Sequence, residues 1–178
     1  MSLGEIGGND YNFAFNKGVP RETVRAFVPA VVDKLAAAVE ELIGMGARAF
    51  VVPGNLPFGC APLYLNRFRG AAASEYDART GCLAWFNKFA EFHNRVLTAR
   101  LDDLRRLHPD VTIVYADWYG AMTSIFQAPG KLGECVRTRQ LSLSLSLSLF
   151  WHCVVSCLVC CNGDVAPVGV PPLCWFVW

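Results

Sequence analysis

An α/β fold built on parallel strands is the class this sequence predicts, and three observations carry it. Apolar runs of strand length lie at 47–52 and 111–116, each bounded by glycine, proline or aspartate. Two long stretches, near 23–44 and 83–107, repeat their apolar residues at helical spacing. With a short strand stub at 2–6, the order becomes strand, helix, strand, helix, strand, the signature of parallel strands joined by right-handed crossovers.

The stub at 2–6 ends in Gly7 and Gly8, which predict a turn over Gly7–Asp10. In the first helix Val24, Phe27, Val28, Val31, Leu35, Val39 and Leu42 form one stripe. Thr23 or a nearby polar residue suits its start, and Gly44 or Gly46 its end. Pro29 predicts either a kink or a helix that begins there. The segment 53–81 is dense in glycine and proline at its start and reads as a long surface loop. In the second helix Leu83, Phe86, Ala90, His93, Leu97, Leu101 and Leu104 share a stripe; Lys88, Glu91, Asn94, Arg95, Asp102 and Arg105 are assigned to the opposite face. The β-branched run Val111–Ala116 ends at Asp117.

At 178 residues the chain has the size of one domain with a proper core, and its formal charge of +1, without a basic stripe, excludes nucleic acid as an expected partner. Composition breaks near residue 140. All 16 Lys and Arg, and every acid but Asp164, lie at or before Arg139, while six of the eight cysteines lie at 135 or beyond. We therefore divide the chain into a folded domain, 1–135, and a hydrophobic Leu/Ser- and Cys-rich tail, 136–178, expected as an irregular or apolar helical segment foreign to the fold. The strict Leu-Ser alternation at 141–149 is what a repeated CT dinucleotide encodes, and we read the tail as translated non-coding sequence. Its 141–161 stretch is the one segment long enough to cross a bilayer, with five serines weighing against insertion. Cys153, Cys157, Cys160 and Cys161 lack the separated paired spacing of a zinc site, so no metal is expected. The start Met1-Ser-Leu-Gly-Glu shows no secretory signal, which leaves the compartment open.

In open parallel sheets, sites collect beyond the carboxyl ends of the strands. Gly7–Asp10, Pro53–Gly59 and Asp117–Tyr119 all fall there. The first of these sits in the run Gly4-Glu-Ile-Gly-Gly-Asn-Asp-Tyr-Asn12, and the second in Val52-Pro-Gly-Asn-Leu-Pro-Phe-Gly-Cys60. Together with Tyr76-Asp77, Gly81-Cys82-Leu83, Glu91-Phe-His-Asn94 and Tyr115-Ala-Asp-Trp-Tyr119, these runs resemble the plant GDSL esterase/lipases of the SGNH hydrolase superfamily over roughly residues 3–130. The resemblance implies a partial three-layer α/β/α sandwich of flavodoxin-like type, without the family's first strand or its C-terminal part. It also implies hydrolysis of carboxylic esters, such as acyl lipids or plant phenolic esters, by a monomer that needs no metal or nucleotide. Members of the family are secreted.

Serine ester hydrolysis needs an activated nucleophile, a base oriented by an acid, and donors for the oxyanion. By the resemblance Asn9 is the oxyanion donor. The family's Gly-Asp-Ser nucleophile, its second block with a further oxyanion amide, and its late Asp-x-x-His pair do not occur in these 178 residues, nor does a G-x-S-x-G elbow. Gly163-Asp164 is followed by Val165. Among the substitutes, His93 reads as a packed core histidine and His108 as a residue at a helix C-terminus; His152 lies in the tail. Ser74 and Ser124 have no activating context, and Asp117 reads equally as a cleft residue or a helix cap. The expectation is a catalytically incomplete hydrolase; the alternatives are a membrane-attached or interacting protein on an esterase remnant, and a chain too incomplete to fold. In secreted relatives a Cys60–Cys82 bridge would be reasonable, whereas in a reducing compartment both would be free thiols.

Overall fold

A computed structural model describes residues 1–128; the expectations for the tail, its membrane stretch, its cysteines and His152 fall outside them. Among the described residues no helix is long and apolar enough to cross a membrane. The elements are α1 (Gly8–Asn16), α2 (Arg21–Arg25), α3 (Val28–Gly44), β1 (Ala49–Pro53), α4 (Pro62–Arg67), α5 (Ala84–Leu107), β2 (Thr112–Ala116) and α6 (Trp118–Gln127).

β1 and β2 run parallel, with Val51 opposite Val114 and Val52 opposite Tyr115. The predicted stub adds to the other edge of β1. Ser2 bridges Val51 in parallel, and the Leu3 amide donates to the Val51 carbonyl at 2.9 Å. The spatial order is therefore stub, β1, β2, and both crossovers step in one direction. Crossovers of the same hand stepping in one direction leave their helices on a single face of the sheet. The burial pattern agrees: Phe50, Val52 and Ile113 are buried with the stripes of α3 and α5, while Val51 and Val114 on the reverse face stay exposed. The described residues thus form the sheet and one helical layer of an α/β sandwich.

α3 begins at Val28 with Pro29 in its first turn, where the missing N–H breaks no helical bond, so no kink is needed. Its end is a Schellman motif. Gly46 takes φ +103°, its amide donates to the Ile43 carbonyl, and the Ala47 amide donates to Leu42. The residues before Val28 form a separate short helix, α2 (Arg21–Arg25), followed by a turn, instead of the start of α3.

Two segments differ from expectation. The predicted turn at Gly7–Asp10 opens a helix, α1, whose Tyr11, Ala14 and Phe15 face inward at i, i+3, i+4. Its asparagines and glycine are poor helix formers, so tertiary packing of that aromatic face makes the helix. The segment 53–81 is also not a surface loop throughout. Pro53–Asn55 and Pro57–Cys60 are buried, α4 follows, and Cys60 and Cys82 are joined in a disulfide across 22 residues. Rings from α1, the 58–68 segment and α5 interlock in an aromatic cluster: Tyr11 meets Phe89 edge-on at 4.8 Å, Phe15 meets Phe86 at 5.2 Å, and Tyr64 meets Phe86 at 4.5 Å. Arg21 closes it from outside, its guanidinium 5.1 Å from the Phe86 ring and 3.0 Å from Glu75.

Candidate functional site

Because stub, β1 and β2 are parallel neighbours, the segments after Ile6, Pro53 and Ala116 emerge along one edge of the sheet. The structure thus brings together the three segments singled out in the sequence. They are also tied to one another. The Gly54 amide donates to the Ala116 carbonyl at 3.1 Å, joining the second segment to the third. Neighbouring residues of α5 join the first two: His93 lies under Gly7, and Asn94 holds Asn55.

The first segment has little steric freedom. Gly7 sits in the left-handed region at φ +99°, and a side chain there would meet Val31 and the His93 ring. Gly8 starts α1 against the Glu5 carboxyl, which a Cβ there would displace. This turn leaves Asn9 exposed in the first turn of α1, beyond the end of the stub. Its side chain has no hydrogen-bond partner among the described residues, so its amide is available to a ligand.

Around the Gly7–Gly8 turn lies a set of buried polar groups. Burial raises the Glu5 carboxyl to about 7, against a lowering hydrogen bond from the Gly8 amide, and Glu5 Oε1 has no hydrogen-bond partner. A carboxyl poised there exchanges protons near neutrality. Nothing in the sequence pattern marked Glu5; its only signal is an acid between small and apolar residues at a strand end. Tyr11 and His93 are fully buried, and the Tyr11 hydroxyl and His93 Nδ1 share a hydrogen bond of 2.8 Å. Burial lowers His93 to about 4, so the ring is neutral; Nε2 has no partner. His93 is the packed core histidine that its stripe position implied. The Tyr64 hydroxyl donates to Asn12 Oδ1, linking α1 to the segment under the disulfide.

The second segment is clamped by α5. The Asn55 amide donates to Asn94 Oδ1 at 2.7 Å, and Asn94 Nδ2 donates back to the Asn55 carbonyl at 3.0 Å. Further along, the Gly59 amide donates to Asn87 Oδ1 at 2.8 Å. Asn94, assigned by sequence to the outer face, is instead buried. Asn55 is buried too, and neither atom of its side-chain amide has a partner.

The other candidates take ordinary roles. Asp117 caps α6, its Oδ1 accepting from the Gly120 amide at 2.9 Å. His108 ends α5. Ser124 donates back to the Ala121 carbonyl at 2.7 Å, and Ser74 is exposed on a short 3₁₀ turn. Neither serine is hydrogen-bonded to a histidine among the described residues. No group of three His, Cys, Asp or Glu side chains there converges as a metal site.

A family model described as GDSL-like Lipase/Acylhydrolase matches residues 3–154. The chain is 47% identical over 131 residues to GDSL esterase/lipase At1g28570 of Arabidopsis thaliana, a match covering 74% of this chain and 34% of that protein. Against GDSL esterase/lipase At1g28580 of the same plant it is 48% identical over 133 residues, again 74% of this chain and 34% of the relative. The chain thus spans about a third of the length of the curated relatives it matches.

Proposed function

The chain belongs to the GDSL-like lipase/acylhydrolase family, and from that premise we propose that residues 1–128 supply part of the machinery for hydrolysing small-molecule carboxylic esters or lipids. Asn9 is the group we assign to catalysis. In this reading its side-chain NH2 donates to the oxyanion that forms when the ester carbonyl is attacked, and the stronger bond to the charged oxygen lowers the barrier. The observation that supports it is the exposed, unpartnered Asn9 carried past the end of the stub on a Gly7 turn that tolerates no side chain. The Pro53–Gly59 segment would form the adjoining wall.

The attacking group is not among the residues we assign. The 178 residues hold no Gly-Asp-Ser and no Asp-x-x-His, His93 is buried and neutral, and Ser74 and Ser124 are paired with no base. We propose that this polypeptide alone has no serine-dependent esterase activity. The test is p-nitrophenyl butyrate hydrolysis by the full chain. No turnover above the buffer rate is expected. Turnover that a serine-directed phosphonate blocks and Asn9→Ala abolishes would overturn the proposal.

A further inference from the structure

Asn55 keeps a polar side chain where the described residues offer it nothing to bind. It stands two residues past the end of β1, is 1% exposed, and has no hydrogen-bond partner at either Nδ2 or Oδ1. Holding the backbone does not require this amide, because Asn94 already satisfies both the N–H and the C=O of Asn55. A buried donor or acceptor left without a partner is costly and rare, so an apolar residue would pack there at less cost. Two more such atoms lie around the Gly7–Gly8 turn, His93 Nε2 and Glu5 Oε1. Consecutive residues of α5 tie the three together, since the His93 ring lies under Gly7 and Asn94 clamps Asn55. The sheet register agrees. Ser2 lies opposite Val51 in a parallel pairing, so Ile6 and Asn55 stand level at the strand ends, on the edge that carries Asn9.

We propose that Asn55 is a substrate-binding residue that selects esters of polyhydroxy alcohols, its side-chain amide pairing with two neighbouring free hydroxyls of the alcohol part. A carboxamide carries one acceptor and one NH2 donor side by side, and adjacent hydroxyls match both: one donates to Oδ1 while the other accepts from Nδ2. A plain alkyl alcohol supplies neither bond. A carboxylate has no proton for Oδ1. His93 Nε2 and Glu5 Oε1 add partners of the same kind beside the amide. Asn55 is closed to solvent in this state, so the hydroxyls reach it as the rim of the site gives way, and the two bonds then made favour that shift. The inference rests on the ester-hydrolase reading for the site, and on the unpaired amide for the class of substrate.

The test is ligand binding by the full chain, which is not expected to cleave the probes. The nitrogen-15-labelled chain is titrated with glycerol 1-monobutyrate, which has free hydroxyls on adjacent carbons, and with propyl butyrate, which has the same acyl group and none. Chemical shifts are followed at the Gly7 amide and at the side-chain NH2 groups of Asn9 and Asn55. The monobutyrate should shift Gly7 and Asn55 saturably and bind about tenfold more tightly than the propyl ester, as two neutral hydrogen bonds allow. Asn55→Ala should remove that preference and move the urea midpoint little, because no hydrogen bond is lost. Asn55→Leu, which fills the volume, should do the same and guards against the effect of a cavity. Equal affinity for the two esters would overturn the inference and leave the site standing. So would a preference that survives both variants, or a midpoint that falls in both with the preference intact, the mark of an amide held by an internal water. No saturable shift at Gly7, Asn9 or Asn55 with either ester would sink the ester-binding site itself, so the two failures are distinguishable.

Discussion

Tyr11 and His93 come from elements 82 residues apart and meet through a 2.8 Å hydrogen bond in a fully buried setting, directly under the Gly7 turn. This pair binds α1, and with it Asn9, to α5. It also makes stability pH-dependent in a way that one other group opposes.

His93 falls from 6.5 to about 4 on burial, so between those values the unfolded chain binds more protons than the folded one. Its contribution is therefore lost as pH drops through that window, by about 3 kcal/mol in total. Glu5 is displaced the other way, from 4.5 to about 7, so its contribution is lost as pH rises. Between about 4.5 and 6.5 the two slopes oppose each other, and urea denaturation of the parent should show a shallow pH dependence. Glu5→Gln should unmask the histidine and make stability climb steeply with pH over the same range. A variant as flat as the parent would show that His93 titrates normally.

Asn9 and Gly7 are neighbours in the turn with opposite expected phenotypes. Asn9→Ala removes an exposed side chain without a partner and should leave the thermal midpoint unchanged. In a GDSL-family relative whose matched segment is replaced by the corresponding residues of this chain, it should lower kcat about a hundred- to a thousand-fold with little change in KM, the signature of a lost transition-state contact. Gly7→Ala forces a Cβ into left-handed backbone against Val31 and His93, and should cost more than about 1 kcal/mol of stability. Urea titration and steady-state kinetics on both variants separate the two roles.

The Cys60–Cys82 bridge was one of two states the sequence left open, since the choice depends on compartment; the structure has it formed. It closes the segment that carries Tyr64 beneath α1. By the loop-entropy argument, reduction should cost roughly 3 kcal/mol, and Cys60→Ser with Cys82→Ser should cost the same. Thermal melts with and without reductant check this. An unchanged midpoint would mean that packing of Tyr64 and Phe86 alone holds the segment.

Periodicity makes the two long helices legible, because α3 and α5 each bury a single stripe, and both strands are legible as short apolar runs between helix breakers, although β1 and β2 bury only one of their faces. α1 escaped because its residues favour turns, and only the Tyr11, Ala14, Phe15 spacing betrays the helix. The buried 53–60 segment escaped for a related reason: glycine and proline signal loops, and loops usually run over the surface. Here side chains from α5 satisfy the backbone, which makes burial affordable. Asn9 was legible only through its motif. Glu5 was not, since its perturbation comes from what α1 folds over it.

Asn94 shows how such a segment is held, and it carries the last prediction. Its position is four residues past Ala90 and three before Leu97, on the buried stripe of α5, so spacing placed it inside although its polarity suggested outside. Its two side-chain bonds satisfy both backbone groups of buried Asn55. Asn94→Ala would strand a buried N–H and a buried C=O at once, each costing about 1–3 kcal/mol, less whatever water enters the gap. We expect a loss of about 2–4 kcal/mol in urea titration, with faster hydrogen exchange at Asn55 than at Val52 in the neighbouring strand. Asn94→Asp keeps the acceptor for the Asn55 amide but sets a carboxylate oxygen against its carbonyl. It should therefore be worse at neutral pH than in acid, where the protonated carboxyl donates again. Equal stability of the Asp variant at both extremes, after correction for the parent, would mean that the clamp works through the amide acceptor alone.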